Sequence, residues 1–313
     1  MTVAAAKRKT KGAKPAKTHR QKLPWLDVLR RLGKPQDNTS NGAPKRDIDG
    51  VTEDYSQPEG YAQVITAQSS HIGTRSYQQD ALYVSESHYL VSGGKDGRAY
   101  AVLCDGMGGT EYGAEASALV VEAMVNALDA LSPDDDIANR LFSLTQELDI
   151  RVFECLGAEQ AGTTVVAVYL DGNQMYWVSV GDSRIYLLHQ EAITLLTRDH
   201  NLLMALEHEV ELGRLTEDEL ETFPRKDALI SFLGQGGLTL IDRNTEPIRL
   251  QSDDIVLLCS DGLTNSLSDE QIGSLVFETY DNLSETARRL PLEAFDTGGE
   301  KDNTSIVLLH YLE

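Results

Sequence analysis

Tyr100-Ala-Val-Leu-Cys-Asp105-Gly106-Met107-Gly108-Gly109 runs an apolar segment straight into an acidic residue followed by glycines. An unbroken apolar run of this kind reads as a fully buried strand, and the glycines let the backbone turn sharply at its end. Asp105 is therefore expected at the lip of a sheet. A carboxylate there, with the backbone carbonyl of Gly106 beside it, presents the oxygen ligands that a hard divalent cation takes. An Asp-Gly pair alone is an ordinary turn signal, so the weight falls on recurrence. Asp254-Ile-Val-Leu-Leu-Cys-Ser260-Asp261-Gly262 repeats the design, and Asp302-Asn303 stands just before Ile306-Val-Leu-Leu309. Asp80 precedes Ala81-Leu-Tyr-Val84, and Asp182 lies in Val178-Ser-Val-Gly-Asp182-Ser-Arg184. Five aspartates beside apolar strands fit one shared acidic pocket better than five unrelated turns.

The chain carries, in order, Gly73-Thr-Arg75-Ser-Tyr-Gln-Gln79-Asp80, Asp105-Gly-Met-Gly-Gly109, Gly162-Thr163-Thr164, Gly181-Asp182-Ser-Arg184, Thr197-Arg-Asp199-His200, Ser260-Asp261-Gly262-Leu263 and Asp302-Asn303. This series resembles the type 2C family of metal-dependent Ser/Thr protein phosphatases, over about Tyr61 to the end of the chain. Met107 is similar to the bacterial branch; eukaryotic relatives commonly carry a His there, proposed as general acid, so that role is not carried over.

The resemblance implies an α+β fold, a four-layer sandwich of two central antiparallel β-sheets flanked by helices on both faces. It also implies hydrolysis of phosphoserine and phosphothreonine in proteins by a metal-bridged hydroxide at a dinuclear centre, reversing a Ser/Thr protein kinase. Asp105 would bridge the two ions and the Gly106 carbonyl would bind one of them, with Asp80 acting directly or through water. Asp261 and Asp302 would hold the other ion, and Asp182 with Asp261 a third, weaker one. Arg75 would grip the substrate phosphate, since a guanidinium offers two parallel donors to its oxygens. All-oxygen ligation favours Mn²⁺ or Mg²⁺ over zinc. The competing expectation is a catalytically silent, regulatory module of the same fold. Such a relative is expected to lose metal aspartates, and all five are kept here.

Charge divides the 313 residues unevenly. The net charge is −21, yet residues 1–46 hold 13 Lys/Arg against 2 Asp/Glu, leaving 15 against 47 for the rest: +11 against −32. Residues 1–20 have almost nothing to bury and are expected to be disordered. Pro24, Leu26, Leu29, Leu32 and Gly33, with Trp25, predict a short basic amphipathic helix, either folded back on the acidic body or serving as a docking or membrane-surface element. Residues 34–60 read as a linker, giving a tail at 1–60 and a phosphatase domain at 61–313. The tail suits an anionic partner or membrane surface. It lacks the interleaved aromatics of a base-stacking platform, so no specific nucleic-acid partner is expected.

Cys104, Cys155 and Cys259 form neither a metal pattern nor a disulfide framework and read as buried small hydrophobes in a reducing compartment. With no apolar stretch of membrane-spanning length and no secretory signal core, a cytoplasmic protein, expected to be monomeric, follows; the acid-poor start leaves an organelle transit peptide as the lesser reading. Strands are predicted near 61–67, 80–85, 99–104, 163–170, 174–180, 183–189, 192–197, 238–242, 254–259 and 304–311, and helices at 114–131, 136–158, after Ser268 and at 283–296. Residues 200–222 switch to helical composition, with Thr216 and Glu219 as a capping box, and residues 200–235, which carry many charges, are expected to form a mobile flap.

Overall fold

The computed structural model describes residues 62–313, apart from 87, 91–96, 108–110, 133, 158–160 and 300. The tail helix, the linker and the Gly108-Gly109 turn predicted above lie outside the described residues. In chain order the elements begin β1 (Ala62–His71), β2 (Asp80–Val84), β3 (His88–Leu90), β4 (Arg98–Met107), α1 (Glu111–Asp129) and α2 (Ile137–Leu156). Next come β5 (Gly162–Thr163), β6 (Val165–Asp171), β7 (Gln174–Val180), β8 (Arg184–His189), β9 (Ala192–Leu195), α3 (Leu202–Glu211) and α4 (Glu217–Glu221). The chain closes with β10 (Asp242–Arg243), β11 (Ile248–Arg249), β12 (Ile255–Cys259), α5 (Asp261–Thr264), α6 (Asp269–Thr279), α7 (Leu283–Asp296) and β13 (Thr304–Leu312).

Two antiparallel sheets form, one ordered β3-β1-β13-β12-β8-β9 and the other β10-β7-β6-β4-β2, with β11 on β7 and β5 on β4. Helix α1 covers β4 and β2, α2 covers β7, and α7 lies on β1 and β13 of the other sheet. The four-layer expectation is thereby met. Alternation explains why strands of antiparallel sheets read as unbroken apolar runs. On β4, Tyr100, Val102 and Cys104 pack toward α1, while Ala99, Ala101 and Leu103 pack into the core between the sheets. On β12, Val256 and Leu258 enter that same central core, and Ile255, Leu257 and Cys259 meet the outer helices. Both faces of each strand are covered, so every position is apolar. Full burial of each such side chain contributes about 1.5–3 kcal/mol, which holds the strand ends rigidly.

Several details depart from the sequence reading. Strand β4 does not stop at Asp105 but runs on to Met107, because β5 pairs Gly106 with Thr163. Gly106 is required by close packing instead of a turn: a Cβ there would lie 2.1 Å from the Gly113 carbonyl oxygen of α1. Asp261 opens a short helix, and the strand predicted at 238–242 is replaced by β10 and β11, which both pair with β7. Cys155 is exposed on α2, while Cys104 and Cys259 are buried as expected. The Thr216 and Ser268 capping boxes are present, and α7 runs through Pro291.

Candidate functional site

The alternation that fills the central core also places the acids. Asp105 continues the 99, 101, 103 series of β4 and so sits on the inter-sheet side, where the apolar core ends. Asp80, first residue of β2, is its direct cross-strand partner. Like charges held opposite one another are unfavourable, so this arrangement needs other forces to maintain it. From the other sheet come Asp261, after β12, and Asp302, before β13, while Asp182 occupies the β7–β8 link between the sheets. Arg75, Gln79, Asp105, Gly106, Met107, Thr164, Asp182, Leu229, Asp261 and Asp302 line one cavity of about 260 Å³. Asp80 is not among these lining residues; its Oδ2 accepts a hydrogen bond from Ser260 Oγ at 2.9 Å.

Each acid is held by neighbours that the sequence motifs supplied. The Asp105 backbone N–H donates to Thr164 Oγ1 at 2.9 Å, and its carbonyl accepts from Thr163 Oγ1 at 2.9 Å. The Asp182 turn is pinned at Gly181, whose N–H donates to His200 Nδ1 at 3.2 Å and whose carbonyl accepts the His200 N–H at 2.9 Å. His200 is fully buried, a packed and bonded residue away from the cavity lining. Arg184 forks onto Asp199 at 2.7 and 2.9 Å, bracing the strand that follows Asp182. Asn303 ties the β1–β2 loop down: its Oδ1 accepts the Gln79 N–H at 2.8 Å, and its Nδ2 donates to the Ile72 carbonyl at 2.8 Å. Arg75, half exposed at the rim, forms an ion pair with Asp302.

Ser260 was quoted from the sequence only as the start of its motif, with no role given, and Ser305, three residues after Asp302, was not named. Ser260 Oγ also accepts the Ser305 N–H at 2.9 Å, so one hydroxyl joins β12, β13 and Asp80. The signal was a hydroxyl at the end of an apolar run, which reads equally well as a helix cap. Leu229 reaches the cavity from the segment after α4, which periodicity could not have shown.

The electrostatics follow from crowding acids into a buried corner. Burial first, and then the charges of Asp80, Asp261, Asp182 and Asp302, push the Asp105 carboxyl well above the usual carboxylate range. Asp80 is pushed up to about 6, chiefly by burial, against hydrogen bonds from Ser305 and Ser260 that favour its charged form. Burial and the neighbouring Asp261 and Asp199 raise Asp182 to about 7. Asp261 is likewise raised, by burial and then by Asp302. Asp80 Oδ1 and Asp261 Oδ1 are buried with no hydrogen-bond partner among the described residues. Oxygen atoms left in this state mark a site that an additional positive group would satisfy.

The profile of protein phosphatase 2C matches residues 67–295. The chain belongs to the protein phosphatase 2C family. It is 32% identical over 222 residues to the serine/threonine phosphatase stp of Listeria monocytogenes, covering 69% of this chain and 85% of that protein. It is 32% identical over 228 residues to the protein phosphatase PhpP of Streptococcus pneumoniae, covering 71% and 89%. Among solved structures, the Mycobacterium tuberculosis serine/threonine phosphatase PstP/Ppp superposes with a TM-score of 0.65 at 28% identity, over 80% of this chain and 99% of that one. A structure of the PstP catalytic domain in complex with two manganese ions has a TM-score of 0.63 at 28% identity, over 80% and 100%. Within this protein phosphatase 2C chain, Arg75 and four of the five aspartates quoted from the sequence line one cavity, and the fifth, Asp80, is hydrogen-bonded to Ser260 next to Asp261.

Proposed function

We propose that this chain is a metal-dependent protein-serine/threonine phosphatase whose centre is the cavity around Asp105. The observation that carries the proposal is the convergence of five aspartates from both sheets, with two buried carboxylate oxygens that have no hydrogen-bond partner among the described residues. The donor set fits hard cations. It is made of oxygens, and burial pushes the two nearby thiols, Cys104 and Cys259, away from the thiolate form that a soft metal needs.

Among the described residues no three His, Cys, Asp or Glu side chains form a metal-holding group by themselves. Mn²⁺ or Mg²⁺ takes oxygen ligands and keeps several waters, so carboxylates, a backbone carbonyl and waters would share each site. Asp105 and the Gly106 carbonyl would hold one ion with Asp80 nearby, Asp105, Asp261 and Asp302 a second, and Asp182 with Asp261 a third, weaker one. When bound, such ions supply an ionised water near neutral pH and screen the charge of the phosphoryl oxygens. The chain's own residues do the rest. Arg75 orients the phosphate by its paired donors, and the rigid strand ends fix the carboxylates relative to it. Met107 lines the cavity without a titratable proton, so no side chain at that position protonates the leaving alkoxide.

The substrates are phosphorylated proteins modified by a Ser/Thr kinase, in signal transduction, and the protein acts as a cytoplasmic monomer. No helix among the described residues is long and apolar enough to cross a membrane. A catalytically silent module has little support, since none of the five acids is missing. The deciding assay is phosphate release from phosphothreonine peptides in Mn²⁺, with and without chelator. Release that persists in chelator, or no release in Mn²⁺, would overturn the reading.

A further inference from the structure

The carboxylate cavity shares two of its lining residues, Arg75 and Asp302, with a larger groove of about 510 Å³. Thr74, Gly262, Asn265, Ser266 and Lys301 complete this groove, so its walls are polar. It adjoins the carboxylate cavity at Arg75 and Asp302 and does not include Asp105, so a peptide whose phosphate reaches Arg75 has the groove beside it. Adjacent residues are only about 3.8 Å apart along a chain, so the groove is within reach of the immediate neighbours of the phosphorylated residue.

Lys301 gives the groove its chemistry. Its Nζ donates to Ser266 Oγ at 2.9 Å and to Thr297 Oγ1, both uncharged hydroxyls. An ammonium has three donors, so one remains, together with the full charge. Among the described residues its Nζ meets hydroxyls and no carboxylate. The other ionic pair in the groove, Arg75 with Asp302, is already internally neutral. A body carrying 47 acids against 15 bases repels anionic peptides over most of its surface. The groove itself is lined by two cations, Arg75 and Lys301, against one carboxylate, Asp302.

We propose that the groove is the subsite for a residue flanking the phosphorylated one, and that Lys301 selects an anionic side chain there, a carboxylate or a second phosphate. This rests on the phosphatase reading above. The test uses phosphothreonine peptides that differ only at the two positions on either side, carrying Ala, Glu or a second phosphothreonine, with kcat/KM measured in Mn²⁺. Wild type is expected to favour Glu over Ala at one of these positions by roughly three- to fivefold, the range of a partly exposed ion pair, and less at high salt. Comparison of the Glu and second-phosphothreonine peptides identifies which anion the site prefers.

Lys301→Met is expected to bring the ratio to unity, Lys301→Arg to keep it, and Lys301→Glu to reverse it in favour of a Lys-bearing peptide. Because each ratio compares two peptides on one preparation, loss of folded protein cancels. Equal rates on Ala and Glu peptides in wild type, or a preference unchanged in Lys301→Met, would overturn the subsite. Failure of wild type to act on every peptide would instead overturn the phosphatase reading.

Discussion

At the scale of single residues, the site is a set of carboxylates kept close against their mutual repulsion. Asp105→Asn and Asp261→Asn each remove a charge from that cluster. Turnover of an aryl phosphate in millimolar Mn²⁺ is expected to fall by about a thousandfold or more, while the melting temperature in chelator stays level or rises. Near-normal rates in either purified variant would rule out the assigned centre. Arg75→Ala takes away a phosphate donor and no metal ligand, so KM for a phosphopeptide should rise more than kcat falls, and an unchanged kcat/KM would make Arg75 a partner of Asp302 only. Proton linkage supplies a further check. Asp182 titrates at about 7 and Asp80 at about 6 in the folded chain, against about 3.9 for an unfolded Asp. The folded state therefore binds more protons than the unfolded one between these values, and metal-free stability is lost as pH rises from about 4 to about 7. Asp182→Asn should flatten that loss, by about 3 °C or more in Tm at pH 8 relative to wild type. Parallel melting curves for the two proteins would contradict the shift.

Elements carried most of their own signal. Alternation across two cores gave β4, β12 and β13 their unbroken apolar runs, and capping residues marked α4 and α6 before any contact was known. The strand pairing that sets Asp80 opposite Asp105 was not legible, because register depends on partners distant in the chain. Nor was β10 readable, since two residues on a sheet edge leave no periodic trace. The segment from 200 to 235 remains the proposed flap. Neither α3 nor α4 has a buried residue, while Leu229 lines the cavity and Leu233 is fully buried. Its return end is clamped by Asp149, whose Oδ1 accepts the N–H groups of Gly234, Gln235 and Gly236 at 2.8, 3.0 and 3.2 Å. Asp149→Ala leaves those donors unmet, at a cost of about 1–3 kcal/mol. Amide exchange should be faster in α3 and α4 than in β4 and β12, and should quicken further at 230–236 in the variant. Exchange in α3 as slow as in β4 would remove the flap.

For the whole molecule, the division of labour is set by charge and by where the chemistry lies. Strand β1 begins at Ala62, the family match begins at residue 67, and the earliest residue of the cavity is Arg75. Residues 1–58 therefore precede every element that builds the site. Their first 46 residues carry +11 against −32 for the remainder, and electrostatic binding by such a tail would be strongest at low salt and screened within about 10 Å at 0.1 M. An anionic partner or membrane surface would compete for the same cations, and Trp25, Leu26, Leu29 and Leu32 would add an apolar component to that binding. Deletion of 1–58 is expected to leave kcat/KM for an aryl phosphate within about twofold, because no described element of the site is removed. The full chain is expected to bind anionic vesicles in a salt-sensitive way, and the deletion to abolish that binding. Loss of aryl phosphate turnover in a truncation that still melts cooperatively would show that the tail completes the active site. Vesicle binding that survives the deletion would move the anionic contact onto the catalytic body, where Lys301 and Arg75 would be the first cations to examine.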